Sequence, residues 1–598
     1  MTHLPVAQPS FLGVDRSFTG RRWRARLDAF GEARALALVQ REGIGDHLAR
    51  VLTGRDIPPE GIATYLAPTV RALMPDPSCL RGLDEAVERL SRAIVTGETV
   101  AIFGDYDVDG AASAALLASY LDACGVPRRI HIPDRITEGY GPNVEAIRAL
   151  RADGASLLVC VDCGTTSHEA LAEAKASGLD AVVIDHHLAP PDLPDAIVVN
   201  PNRQDCLSGL GPLCAAGVVF MVLAGLNRRL RAHSFWSPER PEPNLLDDLD
   251  LVALATVADV APLTGLNRAF VTRGLEAMAR RSRPALVALA DAARLNGPPE
   301  AWHLGFALGP RINAGGRIGD AALGARLLLE RDSTEGARIA AELDRLNEER
   351  RVIERATVDA ALAEAFARFG DAPPAMVMAT GEGWHPGVVG LVAARLKERF
   401  NRPAFAISLG EETGTGSGRS IAGVDLGGAV RAAVDAGLLL KGGGHAMAAG
   451  LTVHREGLAA LESFLAERLG SSVALALRDD ALRIDGALSA GGLTCDLVTD
   501  IERAGPFGAG NPQPVFVLPA HALTHVAPVG EQHLRLHLQA RDGARTEAMA
   551  FRAAGTALGD ALRSSKGEAI HVAVALSIDR WGGRERVAAR IVDAAAAP

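Results

Sequence analysis

Gly104-Asp105-Tyr106-Asp107-Val108-Asp109-Gly110 follows a short apolar run, Val100 to Phe103, and precedes the alanine-rich segment Ala111 to Ala123. The run reads as a strand and the segment as a helix, so the motif sits on a strand-to-helix turn. Three carboxylates at alternate positions repel one another unless something positive is bound. Hard divalent cations take oxygen ligands and supply that charge. A solvated acidic loop is the plainer reading of an isolated D-x-D. Here a strand of buried character aims the carboxylates at the carboxyl edge of a sheet, where open α/β folds hold their ligands.

The chain has 598 residues, 48% hydrophobic and 22% charged, enough for three or four domains with their own cores. A formal net charge of -10 excludes a protein that coats nucleic acid by bulk electrostatics, so any DNA contact requires a local basic groove. Seven cysteines are scattered without a disulfide framework, which points to reduced thiols and a cytoplasmic setting. Cys160 and Cys163 form a C-x-x-C with no second pair at zinc-ligand spacing. No apolar signal segment is expected in Met1 to Arg22, and the longest apolar run, Leu213 to Leu226, is a core helix rather than a membrane span. Aromatic residues make up 4%, too few for an extensive base-stacking platform.

Residues 1–79 read as a helical adapter packed on the first domain. In residues 80–332 short apolar strands alternate with helices: Val100–Phe103, Leu157–Val161, Ala181–Ile184 and Ile197–Val199. The pattern is that of a parallel, doubly wound α/β sheet. The strands end in the triple-Asp turn, in Asp162-Cys163-Gly164, in Asp185-His186-His187 and in Asn200-Pro201-Asn202. Ala258-Asp259-Val260-Ala261-Pro262-Leu263 closes the apolar segment Leu251 to Val257. Singly, Asp162 could cap a helix, Asp259 could end one, and His186 with His187 could be a surface pair. In a parallel sheet all these ends share one edge, and a dinuclear metal centre explains them jointly. Carboxylates with one or two imidazoles favour manganese, with magnesium as the alternative.

Asp332-Ser333-Thr334-Glu335 opens a connecting helix (residues 333–373) whose Arg and Glu residues alternate as on a charge-paired solvated face. Residues 374–470 form a second α/β unit with strands at Met376–Ala379 and Ala404–Ser408. Two glycine-rich loops follow, Gly414 to Ser420 and Lys441 to Gly450, in which Arg419 and Lys441 add charge where phosphates could pass. Neither fits the Walker pattern, so an ATPase is not supported. Residues 471–598 turn to strand alternation: Val515–Leu518, His533–Gln539, His571–Asp579 and Arg586–Val592. These suggest a small β-barrel of the oligonucleotide-binding (OB) type, with Arg535, Arg552, Arg580, Arg584 and Arg590 available to line a groove.

The motifs G-D-Y-D-V-D-G, V-D-C-G, D-H-H and A-D-V-A-P-L, in that order, resemble the DHH phosphoesterase superfamily and, within it, the RecJ family of bacterial single-stranded-DNA-specific exonucleases. Pro133-Asp134-Arg135 with Thr137-Glu138-Gly139-Tyr140-Gly141, Gly309 to Arg317, and Pro506-Phe507-Gly508-Ala509-Gly510-Asn511-Pro512-Gln513-Pro514 extend the resemblance over most of the chain. The glycine-rich second unit is similar to the accompanying DHHA1 domain. The resemblance implies a 5′-to-3′ exonuclease that releases 5′-mononucleotides by two-metal hydrolysis, in DNA recombination and repair. It implies Asp105, Asp107, Asp109, Asp162, His186 and Asp259 as metal ligands, with Asp162 bridging and Asp105 a ligand or close neighbour. Asp185 would orient His186, and His187 would face the scissile phosphate, both beside Asp162 in the catalytic group. Arg135, Ser417 and Arg419 would recognise a 5′ phosphate, and Arg311, Asn313, Gly443, Gly444 and His445 would bind substrate. A monomer is expected, with single-stranded-DNA-binding protein and a helicase as partners, no membrane association, and no further domain after the barrel. A DHH phosphodiesterase for small nucleotides and a non-catalytic replication scaffold are the competing readings.

Overall fold

The computed structural model describes residues 9–370, 372–478, 480–580 and 584–597; residues 1–8 of the N-terminal adapter lie outside them. The adapter opens on a strand, β1 (Arg22–Ala25), which pairs in parallel with Ala481–Ile484 of the C-terminal region. The front of the adapter thus docks on the C-terminal region rather than on the first domain as expected. The helices Ala29–Glu42 and Asp46–Thr53 bury Ala35, Leu38, Leu48 and Leu52 in the same apolar cluster as Phe516, Leu534 and Leu536 of the barrel. Trp23, fully buried, donates its indole N–H to Asp593 at 3.0 Å, and Arg26 grips Asp485 at 2.6 Å. The adapter's end packs on the first domain as well: Val70 joins that domain's core, Arg268 and Arg273 donate to the carbonyls of Tyr65 and Pro68, and Arg228 pairs with Asp76.

The first domain's sheet is parallel throughout, in the order β3-β2-β4-β5-β6, from β2 (Val100–Gly104), β3 (Arg128–His131), β4 (Leu157–Val161), β5 (Asp180–Ile184) and β6 (Ile197–Val199). β2 and β4 are buried at every position, as the continuous apolar runs require of a sheet covered on both faces. The edge strand β3, Arg-Arg-Ile-His, escapes sequence reading because its partly exposed polar residues carry no apolar pattern. Above the sheet the helix Val108–Cys124 is apolar on all sides and sits against Ala215–Ala232 and Leu249–Ala258 in one core.

The connecting helix runs from Ser333 to Phe369, capped by the Asp332 carboxylate, which accepts from the Thr334 and Glu335 amides. Ile339, Leu343 and Leu346 join the first domain's core, whereas Ala361 and Ala365 join a core of the second. One rigid rod therefore holds both units. Its outer face is charge-paired, with Arg345 at 2.8 Å from Glu342 and 3.0 Å from Glu349.

The second unit is a mixed sheet in the order β10-β11-β9-β8-β7, from β7 (Val377–Glu382), β8 (Ala404–Leu409), β9 (Thr413–Arg419), β10 (Lys441–His445) and β11 (Ala448–His454). Both stretches expected as glycine-rich loops are mostly strand. The glycines of β9 face the bulky side chains of β8 in register, Gly418 opposite Phe405 and Gly416 opposite Ile407. A Cβ on Gly416 would lie 2.6 Å from Ile407 Cγ1, so these glycines make room for packing rather than for a flexible loop.

After β12 (Ala481–Ile484) and β13 (Gly486–Ala487), the barrel closes through β14 (Phe516–Val529), β15 (His533–Gln539), β16 (Arg545–Ala550), β18 (Arg586–Ala596) and β17 (Ala569–Asp579), with β17 returning to β14. Of the five arginines noted above, Arg580 is ion-paired to Glu502 and Glu585 and Arg590 donates to Gln513. Arg535, Arg552 and Arg584 stand exposed. No helix among the described residues is long and apolar enough to cross a membrane.

Gly416→Ala is expected to destabilise the second unit by about 1–3 kcal/mol through overpacking against Ile407. Gly450→Ala, where the nearest atom is 4.0 Å away, is expected to stay within about 0.5 kcal/mol. Urea unfolding of the two variants checks the contrast.

Candidate active site

The parallel sheet delivers its carboxyl ends to one edge. From the β2 turn come Asp105, Asp107 and Asp109, with Asp107 capping the next helix by accepting from the amides of Asp109 and Gly110. The turn closes so tightly that a Cβ on Gly110 would stand 2.4 Å from the Asp105 carbonyl oxygen. Asp109 is buried and accepts from the Ala215 and Ala216 amides at 2.7 and 2.8 Å, so the start of another helix fixes its carboxylate. Asp162 ends β4 in a left-handed conformation, φ 62°, that Asp and Asn adopt more readily than most residues. His186 and His187 follow β5. Asn200 and Asn202, beyond β6, hold these histidines by their backbone carbonyls. Those two asparagines carry no chemistry of their own, and only their place at a strand end marks them in the sequence.

Three groups of ligand atoms lie within 4.8 Å of one another: Asp105, Asp107 and Asp162; Asp109, His186 and Asp259; and Asp162, His186 and His187. Asp162 and His186 each belong to two of them, so the three groups adjoin. His186 Nε2 is 3.3 Å from Asp162 and 3.8 Å from Asp109, and its Nδ1 is 3.9 Å from Asp259.

Asp185 departs from expectation. Its carboxylate lies 2.8 Å from the Nδ1 of His187, not against the ring of His186, and accepts from the backbone amides of His186 and Thr165. The side chain of His187 lies between Asp185 and Tyr140, whose hydroxyl is 3.1 Å from the same nitrogen. Asp185 therefore positions His187.

Electrostatics at this edge are unbalanced. Burial, then repulsion from Asp109, Asp107, Asp105 and Asp259, pushes the Asp162 carboxyl well above the usual range. Burial and Asp107 do the same to Asp105, and burial with Asp109 and Asp107 raises Asp259 to about 8. Burial alone would lower His187, but its hydrogen bond and charge interaction with Asp185 carry it up to about 9. One oxygen each of Asp105 and Asp162 is buried with no hydrogen-bond partner. Oxygens without a hydrogen bond in a largely buried, mutually repelling set of carboxylates and imidazole fit hard divalent cations.

The second unit faces this edge. His445 stacks on His187 with ring centroids 6.1 Å apart, and Gly443 and Gly444 precede it on β10. Beside the acidic cluster, Arg135 lies over the Tyr106 ring at 4.9 Å, and Arg419 donates to Ser417 Oγ at 2.9 Å. Arg317, passed over in the sequence, donates to the Gly387 carbonyl of the second unit. Burial and the like charges of Arg135, Arg350 and Arg419 push it down to about 10. Among the described residues Arg135, Arg317 and Arg419 have no carboxylate within ion-pair distance. Asn313 is half-buried, on the helix face that brings Gly309 and Gly316 against Val108 and Tyr106. Arg311 is not brought to the crevice: it is buried and paired at 2.9 Å with Asp344 of the connecting helix. Cys160 and Cys163 are buried with thiols raised by burial, which makes them packing residues rather than ligands.

Three family models match: DHH family, N-terminal domain, over residues 99–256; DHHA1 domain over 373–471; and RecJ OB domain over 484–593. A single-stranded-DNA-specific exonuclease RecJ of Dickeya dadantii is 38% identical, the match covering 79% of this chain and 84% of that protein. The solved structure of RecJ in complex with Mn2+ from Thermus thermophilus superposes with a TM-score of 0.77 at 30% identity, over 96% of this chain and 79% of that one. Its Mg2+ complex gives 0.73 at 29% identity, over 96% and 78%.

Asp162→Asn keeps the left-handed backbone while removing one charge from the cluster. The metal-free variant is expected to melt at or above the wild-type temperature. Wild type gains about 2.7 kcal/mol at Mn2+ a hundredfold above its dissociation constant, and the variant is expected to lose that gain. Thermal melts with and without Mn2+ decide it.

Proposed function

The chain belongs to the RecJ family of single-stranded-DNA-specific exonucleases and is a metal-dependent exonuclease; from that premise we propose that it removes mononucleotides from the 5′ end of single-stranded DNA, 5′ to 3′. The observation that carries the polarity is the cationic pocket of Arg135, Arg317, Arg419 and Ser417 adjoining the acidic cluster. Guanidinium groups without carboxylate partners suit a terminal phosphate, which offers oxygens to several forked donors at once.

Asp105, Asp107, Asp109, Asp162, His186 and Asp259 would hold two divalent ions, Mn2+ or Mg2+. Such ions supply charge neutralisation at the phosphoryl oxygens and water of lowered pKa. The chain's own residues do the rest. Nδ1–H of His187 is committed to Asp185, and because that pairing carries the ring up to about 9 it stays protonated, which leaves the Nε2–H to donate to the phosphate at the cleavage point. His445, stacked beyond His187, brings the second unit against the same phosphate, and the partly exposed β10 backbone at Gly443 and Gly444 lets the strand approach. The barrel, with Arg535, Arg552 and Arg584 exposed, would grip the strand further on. This role fits a cytoplasmic enzyme of recombination and repair.

A long 5′-phosphorylated single strand is expected to be degraded from its 5′ end to mononucleotides in the presence of Mn2+, and in preference to a dinucleotide. Preference for the dinucleotide would contradict the reading. Arg419→Ala is expected to cut kcat/KM on the 5′-phosphorylated strand about 10–100-fold, the loss of a charge-assisted contact. On a 5′-hydroxyl strand the same substitution should change kcat/KM far less.

A further inference from the structure

Asp259 is the one member of the acidic cluster that no sheet strand delivers. It ends the helix Leu249–Ala258, and the chain then turns through Val260, left-handed at φ 59°, into Ala261-Pro262-Leu263. That short segment is seated on the turn leading into the barrel. The Leu263 amide donates to the Ala509 carbonyl at 2.7 Å. A Cβ added to Gly508 would lie 2.7 Å from Leu263 Cδ1, and one added to Gly510, where φ is 68°, would lie 2.9 Å from Pro262 Cβ. At Gly510 the two chains thus touch with no space for a side chain, whereas at Gly508 only the tip of Leu263 would have to shift.

The turn is itself held from three directions. Gly508 and Asn511 exchange backbone hydrogen bonds across it. The buried Asn511 amide donates to the carbonyls of Ala504 and Pro506, while its oxygen accepts from Arg55 and Tyr65 of the adapter. Arg268, 2% exposed, stacks over Tyr65 at 3.9 Å and spends its guanidinium on the carbonyls of Tyr65, Arg503 and Ala504, with no carboxylate among its partners. A buried cation held by backbone oxygens alone is a costly way to fasten a loop. On the other side Asn267 bonds the carbonyls of Pro262 and Pro212, and the helix that starts just after Pro212 donates two amides to Asp109.

We infer that the Phe507–Pro512 turn is a positioning element for Asp259, so that seating of the barrel and the affinity of the acidic cluster for a divalent cation are one linked equilibrium. The inference rests on the metal-ligand reading of Asp259. It gives the barrel a part in catalysis on substrates too short to reach its surface. Partners that orient metal ligands typically govern affinity by 10–100-fold when disturbed, and linkage makes the effect reciprocal.

The test is calorimetric titration of Mn2+ into the full chain: wild type, Gly510→Ala, the milder Gly508→Ala, and Gly530→Ala. The last strains a barrel hairpin at φ 58° with open space around it. Gly510→Ala is expected to bind Mn2+ about 10–100-fold more weakly, Gly508→Ala less so, and Gly530→Ala as wild type. At saturating Mn2+, turnover of a 5′-phosphorylated trinucleotide by Gly510→Ala should recover to within about twofold of wild type. Unchanged Mn2+ affinity in folded Gly510→Ala overturns the inference and leaves the metal reading intact, as does equal weakening in Gly530→Ala. A wild-type chain that binds no Mn2+ overturns both.

Discussion

Mutual repulsion among buried carboxylates is the constraint on which this molecule is built. Asp105, Asp109 and Asp162 are each at most 5% exposed, and two of their oxygens accept no hydrogen bond. A fold does not assemble such a group for stability, since an unpaired buried charge costs several kcal/mol. The surrounding structure supplies what a tightly packed apolar sheet can: rigid strand ends, a capped helix at Asp107, helix amides on Asp109 and asparagines under the two histidines. What it leaves out is enough positive charge to balance the cluster: His187 is spent on Asp185, and the arginines stand one layer away.

That separation of charge depends on the connecting helix. By burying its first half in one core and its second half in another, it sets the two α/β units face to face with His445 against His187 and Arg317 bonded to Gly387. The adapter and barrel form a third body, sharing one apolar cluster and anchored to the first domain through Arg268 and the Pro262–Leu263 contact. The crevice thus lies between rigid bodies.

Most of the first domain was legible in the sequence because its signals are local. Apolar runs mark β2, β4, β5 and β6, and the acids directly follow them. The β3 and β16 strands were not legible, being an edge strand of polar residues and a short Arg-Thr-Glu-Ala-Met-Ala stretch of weak strand character. The glycines of β9 misled in the other direction, since their reason lies in Phe405 and Ile407 across the sheet rather than in their own segment. Contacts made over long separations were equally hidden: β1 with β12, Asp185 with His187 instead of His186, Arg311 with Asp344, and Arg317 with the second unit. Each depends on which side chain arrives from elsewhere, and no spacing rule within one segment reports that.

The central claim is that the acids gathered at one sheet edge hold a pair of cations with Asp162 between them. Electron paramagnetic resonance of the chain loaded with Mn2+ addresses it directly. The account predicts two Mn2+ per chain with an exchange-coupled signal, replaced in Asp162→Ala by an uncoupled one. A single isolated Mn2+, or two ions that never couple, would contradict it.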